Sequence, residues 1–146
     1  YSYIGNFVGS IILALMFVVA GLAKGGTAAF ILKASQGKMA TPSMELFLKG
    51  LLCNMLVCLA VWCAVKLKEE TAKLIMIFWC LFAFITTGFE HSVANMTLLT
   101  TALLIPHTAA ISIGGLVHNL IWVTFGNFVG GAVFIGAAYW YISKEK

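Results

Sequence analysis

The chain has 146 residues, of which 62% are hydrophobic and 10% are charged, and its mean hydropathy is +1.01. A soluble domain carries about 25% charged residues, so this composition excludes an ordinary soluble fold and predicts an all-α integral membrane protein. The basic residues are lysines scattered along the chain, without the clustered basic face that nucleic-acid binding requires. We therefore expect contact with a lipid bilayer and no nucleic-acid partner.

Apolar runs predict four membrane spans in a single membrane domain, residues 1–146. The first run is long enough to cross about 30 Å of hydrocarbon. A mixed connector with lysines, glycines and Pro42 follows it, at residues 24–43, and two alternatives stay open for its middle, residues 27–32: an extension of the helix or a segment at the interface. The third run has about 32 residues, which is too long for one simple crossing at about 1.5 Å per residue. The predicted spans are residues 1–23, 46–65, 74–105 and 116–142.

The third run is interrupted at residues 85–91, where Thr86-Thr87-Gly88 is followed by Glu90-His91. Ionisable side chains are expensive at membrane depth and usually face a bundle interior or an aqueous path. A broken membrane helix with a histidine at the break is typical of a permeation site. We therefore predict two half-helices joined by an irregular loop that carries His91.

An internal repeat is the second informative feature, because Gly-Asn-Phe-Val-Gly occurs at residues 5–9 and again at residues 126–130. Each copy lies in an apolar span and has the small-xxx-small spacing that lets helices approach closely. Repeats in transporter folds commonly form inverted halves. We expect an inverted-repeat helical bundle, of which this chain holds the end of one half and the whole of the next. On this interpretation the chain is a fragment that lacks the first two spans, and its pore is incomplete.

Three strings carry a family resemblance: KGLLCNMLVCLAVW at residues 49–62, GFEHSVANM at 88–96 and GNFVGG at 126–131. In order and spacing they resemble the formate/nitrite transporter family over essentially the whole chain. The resemblance implies an aquaporin-like protomer with six spans, of which this chain matches the last four, and a homopentamer with one pore per protomer. It also implies passage of formate, nitrite or hydrosulfide through a multi-pass protein of the bacterial inner membrane.

The resemblance assigns pore roles to particular side chains. His91 is similar to the central pore histidine of the family, and an imidazole can donate a hydrogen bond to a passing anion. Phe84 resembles the apolar constriction on one side of that histidine, and such constrictions gate by dewetting. Lys38 resembles a family lysine near the histidine and would attract anions. Asn127 is expected at the pore, where it and Asn6, by symmetry, would hold the irregular loops.

Other residues are expected to support the broken helix. We expect Glu90 to anchor the loop by accepting hydrogen bonds from backbone N–H groups, since an unpaired N–H is costly in lipid. Gly88 and Asn95 flank the break, and Asn54 is expected to form an interhelical hydrogen bond worth about 0.6 kcal/mol. A plainer interpretation stands beside each assignment: a structural histidine, a packed phenylalanine or an exposed loop lysine.

The predicted function is a pore-forming channel subunit for small monovalent anions, not an enzyme, with no cofactor and no metal site. A proton-coupled anion symporter of the same fold remains an alternative. So does a membrane-embedded haem or redox subunit that uses His91, His107 and His118, and so does an assembly subunit without a pore. The missing N-terminal segment of the same protein is an expected partner.

Overall fold

The computed structural model describes residues 1–144, and these form helices joined by short turns without any strand. Glu145 and Lys146, the end of the predicted domain 1–146, lie outside the described residues. The predicted all-α class is confirmed. The helices are α1 (Ser2–Val19), α2 (Gly25–Ala40), α3 (Ser43–Lys66), α4 (Glu70–Thr86), α5 (Ser92–Leu104), α6 (Ile113–Phe128), a π-helical segment (Val129–Ala137) and α7 (Ala138–Lys144).

Within residues 1–144, three helical segments are long and apolar enough to cross a membrane: Ser2–Val19, Ser43–Lys66 and Ile113–Lys144. Many of their large apolar side chains are exposed, as lipid-facing residues are. The third predicted span is divided between α4, with 17 residues, and α5, with 13. At about 1.5 Å per residue these helices are about 26 Å and 20 Å long, so neither matches a full crossing of about 30 Å.

Most of residues 24–43, which the sequence predicted as a mixed connector, forms the 16-residue helix α2. One face of α2 is buried and consists of Ile31, Ser35 and Met39. The glycines and lysines of this segment make the pattern hard to recognise in the sequence. The three buried positions are four residues apart and therefore lie along one side of a helix. Burial of this face, rather than helix propensity, explains why the segment is helical.

The described chain divides into two compact units, which we call unit 1 (Tyr1–Ser43 with Ser92–Ile121) and unit 2 (Met44–His91 with Trp122–Lys146). In unit 1, α5 packs against both α1 and α2. Met96 and Leu99 of α5 are fully buried in its core. The buried core cluster of unit 1 comprises Ile31, Met39, Met96, Leu99, Ala102, Ile105, Ile111, Leu116 and Leu120.

In unit 2, small residues bring two backbones into contact. A Cβ atom added at Gly126 would collide with the carbonyl oxygen of Phe47, and one added at Gly130 would collide with that of Leu51. Only glycine permits this approach, and both glycines are buried. Phe47 also packs against Phe125, with ring centroids 5.3 Å apart. The second copy of the repeated pentapeptide therefore lies directly against α3.

Candidate functional site

The interruption begins where Gly88 ends α4. Gly88 has a φ of +71°, in the left-handed region that favours glycine. Its N–H donates to the carbonyl of Ile85 at 3.2 Å, and the N–H of Phe89 donates to that of Phe84 at 3.0 Å. These two bonds form a Schellman motif, which satisfies carbonyls at a helix end. The glycine in Thr-Thr-Gly is therefore the residue that stops the helix.

The hydroxyls of two threonines at the end of α4 are satisfied by backbone carbonyls of the preceding turn. The hydroxyl of Thr86 donates to the carbonyl of Phe82 at 2.7 Å, and that of Thr87 donates to the carbonyl of Ala83 at 2.7 Å. A threonine in a helix commonly bonds the carbonyl four residues back. In lipid this pairing matters, because an unsatisfied polar group there costs several kcal/mol. The sequence Thr-Thr-Gly is thus suited to end a helix at membrane depth.

A single buried amide anchors the irregular loop that follows. The side-chain NH₂ of Asn127 donates to the carbonyl of Glu90 at 3.0 Å and to that of Gly50 at 2.8 Å. The backbone N–H of Glu90 donates to the carbonyl of Lys49 at 3.3 Å. Asn54 in turn donates from its amide to the carbonyl of Asn127 at 2.6 Å. The loop, α3 and α6 are therefore held together through Asn127.

Glu90 is buried, with 4% of its surface exposed. We expected its carboxylate to anchor the loop, and the structure shows that its backbone N–H and carbonyl both take part in the anchoring. This placement attaches the loop at the residue immediately before the histidine.

His91 lies beside Phe84, with ring centroids 6.1 Å apart and ring planes inclined by 28°. Both side chains are half-buried. The turn at Gly88 lies between the two rings in the chain, since Phe84 is in the last turn of α4 and His91 follows the turn. Ser92 then begins α5, whose N-terminal end carries a positive dipole and has no acidic residue in its first turn. An apolar ring, an imidazole and a positive helix end thus follow one another along the chain.

The remaining predicted residues, Lys38, Asn95 and Asn6, belong to unit 1. Lys38 is half-buried in the last turn of α2, and its carbonyl accepts a hydrogen bond from the amide of Asn119 at 3.1 Å. The amide oxygen of Asn119 accepts a hydrogen bond from Asn95 at 2.9 Å. Asn6 is exposed on α1, unlike its counterpart Asn127.

Asn119 was missed by the sequence analysis, although it is fully buried. The signal was present, because Asn119 is an amide within a predicted apolar span, like Asn54 and Asn127. Its neighbour His118, whose ring Nε2 lies 3.1 Å from the carbonyl oxygen of Thr41, is a second polar residue in the same span.

A family model described as formate/nitrite transporter matches residues 1–141. The nitrite transporter NirC of Escherichia coli (strain K12) is 46% identical over 146 residues, which cover 99% of this chain and 54% of that protein. The chain therefore spans about half the length of this relative.

Two solved structures are similar in fold and sequence. An FNT family ion channel has a TM-score of 0.88 and 44% identity, with coverage of 96% of this chain and 56% of that chain. A pentameric formate channel with formate bound has a TM-score of 0.87 and 32% identity, with coverage of 97% of this chain and 63% of that chain.

Proposed function

The chain belongs to the formate/nitrite transporter family, and we propose on this premise that it is part of a pore-forming channel subunit with His91 at the centre of the pore. The subunit passes small monovalent anions across the inner membrane of a bacterium. The observation that carries the proposal is the break itself, where a histidine next to a phenylalanine ring follows a capped helix end. A purely structural span gains nothing from exposing backbone at membrane depth.

The two rings at the break have complementary tasks. Phe84 forms an apolar constriction that hydrated ions cross poorly. His91, whose ring centroid lies 6.1 Å from that of Phe84, offers an N–H hydrogen bond to an anion that has lost water there. The positive end of the α5 dipole adds to this attraction. The anion is thus stabilised at the point where losing its hydration is most costly.

Two further residues support the passage of anions in this proposal. Lys38 supplies a positive charge that raises the local concentration of anions. Asn127 keeps the loop at the pore, because its amide bonds Glu90 and Gly50 together.

Gly88 ends α4, and Asn54 donates to the carbonyl of Asn127, so both maintain the irregular backbone around the break. Asn95 supports the first turn of the half-helix that follows, through its hydrogen bond to Asn119. Asn6 would hold, by symmetry, the corresponding loop of the other half of the repeat.

The assembly we propose is a homopentamer of aquaporin-like protomers with inverted repeats. The pentameric formate channel, at 32% identity and a TM-score of 0.87, supports the pentamer. The repeated pentapeptide supports the inverted halves. This chain then contributes the last four of six spans, and the rest of the protein contributes the opposing part of the pore.

Nitrite is our first choice of anion, with formate and hydrosulfide as the others to be compared. The relative that is 46% identical is a nitrite transporter, whereas the formate-bound structure is 32% identical. Charge and size are similar for these anions, so the histidine and phenylalanine at the break favour the class rather than one member.

The test is stopped-flow uptake of nitrite, formate and hydrosulfide into proteoliposomes of the full-length protein at several pH values. We expect His91→Phe to lower uptake at least about tenfold and to remove its pH dependence, since the hydrogen-bond donor at the anion is lost. His107→Phe is the matched control, because His107 is exposed and its Nδ1 lies 2.7 Å from the carbonyl oxygen of Ile105. Uptake by His91→Phe at the unmodified rate and pH dependence would refute the central histidine.

A further inference from the structure

We propose that Asn119 is a positioning residue, which holds the backbone of Lys38 so that the ammonium group of Lys38 stays at the anion path. This inference rests on the role proposed above for Lys38, and it adds a residue that the sequence analysis did not identify. The contacts that carry it lie entirely in unit 1.

Two carbonyl groups at the C-terminal end of α2 are paired by side chains from outside the helix. The last four carbonyls of a helix have no intrahelical partner and need donors from outside. Helix α2 ends at Ala40, so the carbonyls of Gly37 and Lys38 are among these four. The hydroxyl of Thr41 donates to the carbonyl of Gly37 at 2.8 Å, and the amide of Asn119 donates to that of Lys38 at 3.1 Å. Asn119 therefore acts as a distant cap for the turn that carries Lys38.

The amide oxygen of Asn119 is also hydrogen-bonded. The side-chain oxygen of Asn119 accepts a hydrogen bond from Asn95 at 2.9 Å. Asn119 is 0% exposed and Asn95 is 3% exposed, so water does not compete for these bonds. A hydrogen bond in such surroundings is stronger than in water, and breaking it leaves a costly unpaired group. The amide is therefore fixed in orientation from both sides.

One partner of this amide is the proposed pore residue Lys38, and the other, Asn95, lies close in the chain to His91. Asn95 is in the first turn of α5, which begins directly after His91. Lys38 is in the last turn of α2. One buried side chain thus connects the turn that carries the lysine to the turn that follows the histidine.

A second contact reinforces the same turn. The ring Nε2 of His118 lies 3.1 Å from the carbonyl oxygen of Thr41, so consecutive residues of α6 bond the end of α2. A lysine ammonium sits on a flexible stem of four carbons, and the backbone decides which positions it can reach. Coulomb attraction falls with distance, so a displaced backbone weakens the attraction of Lys38 for an anion.

The experiment is a double-mutant cycle on the full-length protein in proteoliposomes, with uptake rates measured across a series of nitrite and formate concentrations. We expect Lys38→Met to raise the half-saturating concentration. Asn119→Leu should raise it about fivefold in the unmodified background, because the carbonyl of Lys38 loses its donor. In the Lys38→Met background, Asn119→Leu should cause no further change, since residues that act through one another are not additive.

An equal effect of Asn119→Leu in both backgrounds would mean a merely structural role and would overturn the proposal. If Lys38→Met raises the half-saturating concentration but Asn119→Leu has no effect, the inference fails while the role of Lys38 stands. If Lys38→Met leaves the half-saturating concentration unchanged, the role of Lys38 fails, and the inference fails with it.

Two further variants guard against loss of folding. Asn119→Asp keeps the size of the side chain and an oxygen for Asn95, but it removes the donor to Lys38, so it should behave like Asn119→Leu. Thr101→Val removes a buried hydroxyl that donates to the carbonyl of Thr97 at 2.8 Å, and it should leave the half-saturating concentration unchanged. If neither variant of Asn119 assembles while Thr101→Val does, Asn119 serves folding, and the proposal is overturned.

Discussion

The pentapeptide of residues 126–130, which runs from the end of α6 into the π-helical segment, lies against α3, whereas the identical pentapeptide in α1, residues 5–9, has an open side. A Cβ added at Gly126 would collide with the backbone of Phe47. A Cβ added at Gly5 or Gly9 would meet nothing within 4 Å among residues 1–144. The same five residues therefore take two different packing environments.

The amides of the two copies differ in the same way. Asn127 is buried and donates two hydrogen bonds, to Gly50 and Glu90, while Asn6 is exposed. A small-residue face next to an amide gives a helix the capacity for close packing. Close packing occurs only where a second helix lies against this small-residue face. Under the inverted repeat that we propose, the part of the protein outside this chain supplies the helix that meets α1.

The largest effect is expected from Gly126→Leu. The new side chain would occupy the position of the Phe47 carbonyl and separate α6 from α3, and overpacking of this kind costs about 3 kcal/mol or more. Size-exclusion chromatography and thermal unfolding in detergent should show loss of the assembled protein. Gly114→Leu is the control on the same helix, because Gly114 is exposed, and it should assemble normally. Normal assembly of Gly126→Leu would show that the second copy does not need its contact with α3.

The next effect is expected from Asn127→Leu, a change close to isosteric. The carbonyls of Gly50 and Glu90 would lose the donor that joins them, and each unsatisfied group costs about 1–3 kcal/mol. We expect anion uptake in proteoliposomes to fall about tenfold or more in protein that still assembles, since a misplaced loop misplaces His91. Ser143→Ala, which removes a hydroxyl that donates to the carbonyl of Tyr139 at 2.7 Å, is the control and should retain its uptake. Unchanged uptake by Asn127→Leu would remove Asn127 from the site.

The smallest effect is expected from Gly5→Ala in the full-length protein. This variant is the most discriminating test of the repeat, because the two packing environments predict changes of opposite sign. Alanine is favoured over glycine in a helix by about 1 kcal/mol, so a methyl group in open space would stabilise α1. The proposed repeat predicts the opposite sign, a loss of about 1–2 kcal/mol from overpacking against a covering helix. The measurement is the thermal unfolding midpoint beside that of Gly126→Ala, which should also fall. A raised or unchanged midpoint for Gly5→Ala would contradict the repeat.

The sequence identified the break in the third apolar run because its chemistry is local. The interruption was predicted at residues 85–91, and in the structure α4 ends at Thr86 and α5 begins at Ser92. Gly88 ends the helix through hydrogen bonds to residues only a few positions away, so no distant partner is needed. Family membership was predicted from three short strings, and the match over residues 1–141 confirms it.

The sequence alone did not predict the full extent of helix α2 or the hydrogen-bond partners of Asn119, because the residues that they contact are distant in the chain. Ile31, Ser35 and Met39 make α2 helical by burying one face, and that face exists only when α5 lies beside it. Asn119 donates to Lys38, which is far away in the chain. An amide in an apolar run shows that a partner is needed, but not which carbonyl supplies it.

By itself, then, the sequence determined the membrane class, the position of the break and the family. The reason is that the length of an apolar run, the residues that cap a helix and a family motif each depend on residues that are neighbours in the chain. Only the tertiary structure decided which of two identical pentapeptides is buried, that Asn127 anchors the loop at Glu90, and that Phe84 and His91 lie ring to ring. The physical reason is that close packing and buried hydrogen bonds need two surfaces, and the second surface comes from elsewhere in the chain.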